Sequence, residues 1–309
     1  MTKKNCLNNK CTGEIELLYD YGNNNALDEL NFDCTHPKGS DSMPKIYVCK
    51  KCELKFSELA MNISSNVFED KYKDVVDHVY INELPYKKKY FSNLFKKISS
   101  CFDKNKSALE IGSYYGVFGN IIKHNVKSYS GLELSKHGSD YASKNYNLQI
   151  YNETLESHAK KNIKYDVIIM SDVIEHFSDP FTIIEFIDEI LNEDGLLIFT
   201  TFNMDSVYAK ITGRNYHWIL PFHLFYFSNK TLKSLCLERN LEIFKISNDT
   251  RTVSVYYLLG KLEKLFTKFK FIFTFIKRIK VFNNLNISVN LFDLNIYYAK
   301  KITKQSDSD

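Results

Sequence analysis

Beyond residue 107 the chain alternates short apolar runs with amphipathic stretches. Ala108–Gly112, Tyr129–Leu134, Leu148–Tyr151, Tyr165–Met170 and Leu196–Phe202 have strand character. Between them the pattern turns helical, most clearly over Pro180–Leu191, which opens on a proline and is closed off by Gly195. A further helix, Asn229–Arg239, a strand, Leu241–Ile246, and a last alternating strand, Leu291–Lys300, complete the series. Strands and helices in turn at this spacing predict an α/β fold with a parallel sheet covered on both faces.

The first hundred residues read differently. From Glu58 to about Phe102, Tyr80, Leu84, Tyr90, Phe91, Leu94 and Phe95 are punctuated by Lys and Asp, which predicts a helical connector. Ahead of it, Cys6, Cys11, Cys34, Cys49 and Cys52 crowd into 52 residues, around a polar stretch at 21–25 and a loop at 37–44. So short a segment cannot build much core of its own. Cys49-Lys50-Lys51-Cys52 has the two-residue spacing of a metal knuckle after a strand, Lys45–Val48, and Cys6 with Cys11 is the wider partner pair. Four thiolates predict a structural zinc site whose metal replaces the missing core, with no open position for catalysis. Cys34 and His36 are alternative ligands, and the competing reading is reduced thiols in a flexible arm.

Charge adds little. The 309 residues hold 41 Lys+Arg against 37 Asp+Glu, a net +4, too slight to indicate a nucleic-acid partner. With 44% hydrophobic and 25% charged residues, wholesale disorder is excluded. Met1–Cys11 lacks an apolar export core, no run reaches the length of a membrane span, and seven cysteines do not suit a disulfide framework. A cytoplasmic protein is expected. Residues 255–282 stand apart, with Lys261, Lys264, Lys268, Lys270, Lys277, Arg278 and Lys280 against Glu263 alone, interleaved with aromatics. They predict a helical insertion packed on the sheet, or a peripheral surface on an anionic membrane.

The chemistry gathers where strands end. Leu109-Glu110-Ile111-Gly112-Ser113-Tyr114-Tyr115-Gly116 puts a carboxylate and two glycines at a strand-to-helix turn, where glycine permits positive φ and close approach to a ligand. Glu133 ends the next strand, placed for ribose hydroxyls. Counted from Gly112, the third and sixth positions are Tyr114 and Val117, so the dinucleotide fingerprint fails, and no Gly-Lys-Ser/Thr follows for a phosphate-binding loop. A ligand with a sulfonium and an amino-acid end fits better. The bland reading is a tight turn without a ligand.

In order and spacing, this loop, Gly131-Leu132-Glu133, Tyr165-Asp166-Val167-Ile168 and Asp172-Val173-Ile174-Glu175-His176-Phe177-Ser178-Asp179-Pro180 resemble class I S-adenosylmethionine-dependent methyltransferases of ubiquinone type over residues 107–250. The resemblance implies a Rossmann-like seven-stranded sheet. It assigns Glu110, Gly112, Ser113 and Gly116 to the methionine end of the cofactor, Glu133 to the ribose, Glu153, Thr154 and Leu155 to the adenine, and Ser171 and Asp172 to closure of the pocket. Tyr114 stands where the loop usually has its middle glycine, which would narrow the pocket. Residues 46–56 are similar to the zinc ribbon preceding bacterial sugar and polysaccharide-cluster methyltransferases. That resemblance implies a ribbon at 1–57, a connector at 58–105, a catalytic domain at 106–303 with an insertion at 251–290, and a disordered tail at 304–309. It also implies a small-molecule or glycan acceptor, methylated on a sugar or nucleotide-linked sugar hydroxyl.

Asp172, Glu175 and His176 follow the fourth strand, and His217, Trp218 and His223 follow the fifth. His176 or His223 would serve as a general base. Alternatively Asp172, Glu175, His176 and His223 would bind a divalent cation that polarises the acceptor, a spacing that resembles ubiquinone-type and small-RNA 2′-O-methyltransferases. The structural reading is a helix-entry loop with packed histidines. Two other functions remain in view. An RNA methyltransferase would grip phosphates with the ribbon and the basic helices, and a cofactor-dead scaffold is prompted by Tyr114.

Overall fold

The computed structural model describes residues 5–22, 43–62, 65–255, 270–277 and 285–302, with residues 259, 263 and 279. Its strands are, in chain order, β1 (Ile15–Tyr19), β2 (Ile46–Cys49), β3 (Lys55–Ser57), β4 (Ser107–Ile111), β5 (Ser128–Leu132), β6 (Ile150–Tyr151) and β7 (Tyr165–Ser171). β8 (Leu191–Phe202), β9 (Phe225–Tyr226), β10 (Leu241–Asn248), β11 (Arg251–Ser254), β12 (Asn286–Val289) and β13 (Leu294–Lys301) follow. Seven form one sheet in the order β6-β5-β4-β7-β8-β13-β10. Neighbours from β6 to β8 are parallel, while β13 runs antiparallel to β8 and β10. The expected seven-stranded α/β sheet is therefore present.

The apolar runs are continuous because both faces are covered. Val167 and Ile169 of β7 face the helices Leu84–Ile98 and Val117–Ile122, whose Leu94, Ile98, Phe118 and Ile122 complete that layer. Ile168 and Met170 face the opposite layer, with Ile184 and Ile187 of helix Pro180–Ile190 and Leu232 and Leu235 of helix Asn229–Leu237. Asp179 caps Pro180–Ile190 by accepting the N–H groups of Phe181 and Thr182 at 3.0 and 3.1 Å. β8 starts at Leu191, five residues before the strand read from the sequence. Asn192-Glu193-Asp194-Gly195 looks like a loop, but it forms an irregular strand start whose pairing with β7 skips a residue after Tyr165.

Between β3 and β4 the described residues form four α-helices, Glu58–Asn62, Ser65–Lys73, His78–Asn82 and Leu84–Ile98, over the segment read as a connector. The amino-terminal sheet is less independent than its sequence suggests. Its order is β1-β2-β3-β9, so the fourth strand comes from the loop between β8 and β10. Cys6, Cys49 and Phe56 join the same buried layer as Phe181, Phe225 and Leu232. Of the insertion at 251–290, the described residues show its base, β11 paired antiparallel with β12, and one helix, Lys270–Lys277. Apart from residues 255, 259, 263 and 279, the rest of 255–282, the tail at 304–309, Cys34 and His36 lie outside the described residues. Among the described residues no helix is long and apolar enough to cross a membrane.

Candidate active site

A cavity of about 910 Å³ opens at the carboxyl ends of β4, β5 and β7, the edge where open α/β sheets bind ligands. Glu110, Gly112, Ser113, Glu133, Glu153, Thr154, Leu155, Ser171 and Asp172 all line it, as do Glu175, His176 and His223. Gly116 does not. It caps the helix Val117–Ile122 with φ 72°, and an added Cβ would meet Ala142 at 2.6 Å, so its glycine serves the turn. Gly112 has the same φ, and there a Cβ would meet Val173 at 2.6 Å.

Two buried carboxylates define one half. Glu110 accepts a short hydrogen bond from Tyr129 Oη, and burial pushes its pKa up to about 8. Glu133 accepts the N–H groups of Tyr114 and Ser135 at 2.7 and 2.6 Å, yet burial still raises it to about 7. Among the described residues neither has a cationic partner, and the Ser171 hydroxyl is buried with no hydrogen-bond partner. Acids deprived of water and of counter-charge, beside an orphaned hydroxyl, suit a ligand that brings an ammonium group and ribose hydroxyls. Farther along, Glu153 is engaged by Lys161 at 2.6 Å and His158 at 2.8 Å, and Thr154 caps the helix Leu155–Ala159.

Tyr114 also lines this cavity. With φ 45° it turns its ring into a cluster with Tyr72 and Tyr80 of the connector and its neighbour Tyr115, at 6.4, 4.7 and 4.5 Å between centroids. The connector thus supplies an aromatic wall, which sequence reading missed because it separates the rings by more than thirty residues.

A pH dependence follows from the two acids. A raised carboxylate keeps its proton in the empty folded pocket until about pH 7 to 8, and binding an ammonium or ribose group favours its loss. Affinity for S-adenosylmethionine should therefore climb through neutral pH and level off above about pH 8, by up to tenfold per unit for each carboxylate. Calorimetry across that range checks it. A flat profile, or a slope unchanged in Glu110→Gln, would refute it.

The other half is built on two histidines. His223 Nδ1 lies 2.7 Å from the Trp218 carbonyl oxygen, and His176 Nδ1 lies 3.2 Å from that of Phe222. Carbonyl oxygens only accept, so each Nδ1 carries the proton and each Nε2 keeps its lone pair. Burial lowers both imidazole pKa values, His223 well below the usual range with help from neighbouring His176. Glu175 lies beside them, buried, accepting from Thr201 Oγ1 at 3.1 Å and pushed up to about 8 by burial and by Asp172. Single ligand atoms of Glu175, His176 and His223 fall within 4.8 Å of one another, a carboxylate–bis-imidazole set able to hold a divalent cation.

Asp172 is not in that set. It forms a short ion pair with Arg251, accepts from Thr200 Oγ1 at 2.9 Å and has φ 55°, so the four-residue cation set expected from the sequence reduces to three. Arg251, absent from the sequence reading, lies between Tyr90 and Trp218, 4.6 and 5.0 Å from their ring centroids. Tyr90 and Lys97 in turn hold Asp249 at 2.8 and 2.9 Å. One signal was available: only four of the 41 basic residues are arginine, the side chain suited to a stacked, paired guanidinium.

A separate cluster lies in the amino-terminal sheet. Cys6 Sγ is 3.5 Å from Cys52 Sγ and Cys11 Sγ 3.7 Å from Cys49 Sγ, and all four sulfurs lie within 4.8 Å. Tetrahedral zinc with bonds of about 2.3 Å requires sulfurs about 3.8 Å apart, so the four fit it. Burial alone would raise Cys49, but the N–H groups of Cys52 and Lys51, joined by hydrogen bonds with the Cys52 and Cys6 thiols, bring it down to about 7.

The profile of a methyltransferase-domain family matches residues 86–246, more than half of the chain, and the chain belongs to that family. A SAM-dependent methyltransferase from Archaeoglobus fulgidus superposes with a TM-score of 0.50 at 16% identity, covering 73% of this chain and 100% of that one. The fold is thus that of class I S-adenosylmethionine-dependent methyltransferases. Among curated relatives, the ubiquinone biosynthesis O-methyltransferase of Yersinia enterocolitica is 25% identical over 122 residues, 37% of this chain and 48% of the relative. That of Serratia proteamaculans is 24% identical over 119 residues, with the same coverage. The chain spans about half the length of these relatives.

Proposed function

We propose that the protein transfers the methyl group of S-adenosylmethionine to a hydroxyl oxygen of a sugar or nucleotide-linked sugar. One observation carries this: a single cavity is lined at one end by the uncompensated acids Glu110 and Glu133, and at the other by Glu175 with two histidines whose Nε2 atoms are unprotonated. In this reading Glu110 and Glu133 take the ammonium and ribose groups, and the acceptor lies against Glu175, His176 and His223. Those three residues would hold a divalent cation, which when bound supplies Lewis-acid polarisation of the acceptor hydroxyl. Trp218, Phe222 and Asp293 also line the cavity and would border the acceptor. The four cysteines would hold structural zinc.

A second acceptor class, a phenolic hydroxyl, is favoured by the similarity to ubiquinone biosynthesis O-methyltransferases. The test is S-adenosylhomocysteine formation with nucleotide-linked sugars and with a catechol, each with manganese and with chelator. Turnover of a sugar nucleotide that stops on chelation is expected. Turnover of the catechol alone would transfer the assignment to phenols, and none with either panel, from protein that binds S-adenosylmethionine, would count against oxygen methylation.

A further inference from the structure

The cysteine cluster and the acceptor cluster are joined by a hydrogen-bonded ladder. Cys49 N–H donates to Leu54 O at 2.9 Å, closing the knuckle turn that leads into β3. β3 pairs on one edge with β2, which ends at Cys49, and on the other with β9, Phe56 opposite Phe225. One residue on, Ser57 N–H donates to Leu224 O at 2.8 Å, and Leu224 N–H donates to Glu175 O at 2.9 Å. Leu224, fully buried, is thus held through its carbonyl by the cysteine sheet and through its amide by the acceptor cluster. The residue before it is His223. Phe225 packs between Phe56 and Phe181, at 6.3 and 6.0 Å, so side chains seal the same junction. Among the described residues the cofactor half has no such backbone ladder: Glu110, Glu133 and Ser171 sit on or just past β4, β5 and β7, which pair within the large sheet.

From this geometry we infer that the four-cysteine unit is a positioning element for the acceptor site. With its metal bound it holds β3 against β9 and so fixes His223 relative to Glu175. Without the metal that spacing loosens while the cofactor half stays formed. The cause is that the unit has no core apart from the layer it shares with the large sheet: a segment this short depends on its ligated thiolates for a fixed fold, and β9, two residues long, has little pairing of its own. Ser57 is the positioning residue, acting through its backbone N–H. The consequence for catalysis rests on the acceptor reading proposed above, but the structural link does not.

The test is hydrogen exchange on the full chain, followed by mass spectrometry over residues 222–227, beside calorimetry with S-adenosylmethionine and titration with manganese. Removing zinc should speed exchange there by about tenfold or more while cofactor affinity stays within about twofold. Ser57→Pro, which keeps all four cysteines but lacks the N–H, should do the same with zinc retained and should weaken manganese binding about tenfold. Ser57→Ala keeps the N–H and should match the unsubstituted protein in every readout. Unchanged exchange at 222–227 in Ser57→Pro or after zinc removal would overturn the inference, as would equal loss of cofactor binding. Should the purified chain hold no zinc, the zinc assignment alone fails, and the two Ser57 variants still decide the positioning role. Faster exchange at 222–227 with unchanged manganese binding and turnover would instead overturn the acceptor reading and leave the structural link standing.

Discussion

Glu133→Ala is expected to weaken S-adenosylmethionine binding by about a hundredfold or more, the largest effect of any single change in the cofactor half. A hydrogen bond to a charged group contributes about 1.5–3 kcal/mol, and a ribose diol offers two to one carboxylate. Even the lower figure for both gives about 3 kcal/mol, or a little over two decades in affinity. The change also removes the acceptor for the Tyr114 and Ser135 N–H groups, which hold the glycine loop to the end of β5. Glu133→Gln keeps one acceptor oxygen and should lie between the two. Calorimetry on both variants, with a melting curve to show that each is folded, checks the claim. A folded Glu133→Ala protein with undiminished affinity would remove the carboxylate from the cofactor site and, with it, the present reading of Glu110.

The parts of the fold legible in the sequence are those set by local pattern. Val167–Met170 reads as a buried central strand because every residue is apolar and both faces are covered, and Asp179-Pro180 marks a helix start because the cap and the proline are adjacent. Glu110, Gly112 and Glu133 could be picked out because strand ends in this fold come at regular intervals. The missed features all join distant segments. Arg251 meets Asp172 across 79 positions because the β11–β12 hairpin docks beside helix Leu84–Ile98. The rarity of arginine marks Arg251 but does not name its partner, so Asp172 looked free to bind a cation. β9 was invisible because two residues show no periodicity, and its pairing with β3 joins segments that sequence order makes separate domains. Tyr114 looked like an obstruction because the loop pattern gives no direction for its ring, and it takes the connector tyrosines to show where the ring goes. Strain is likewise visible only in the structure: Tyr114 and Asp172, both with positive φ, both border the cavity.

His223→Ala should lower methyl transfer by two to four decades while leaving S-adenosylmethionine affinity unchanged, because His223 touches the acceptor half of the cavity alone. That range is what a positioned acid–base or polarising group ordinarily contributes. The companion variants separate the two roles open to the cluster. If Glu175, His176 and His223 act together on a cation, then His176→Ala and Glu175→Gln fall as far as His223→Ala. Their losses are then non-additive, since removing any one ligand disables the same ion. Activity should in that case disappear with chelator and return with manganese. A lone general base predicts the opposite pattern, with one histidine dominant, chelator without effect and the remaining pair nearly neutral. The geometry favours the joint role. Both imidazoles are tied by Nδ1 to backbone carbonyls, which fixes their rings and leaves each Nε2 lone pair free for a ligand, and the two rings cluster with one carboxylate. Retention of full activity by His223→Ala would sink the joint cation role and remove His223 as a base, leaving His176 to be tested alone by His176→Ala.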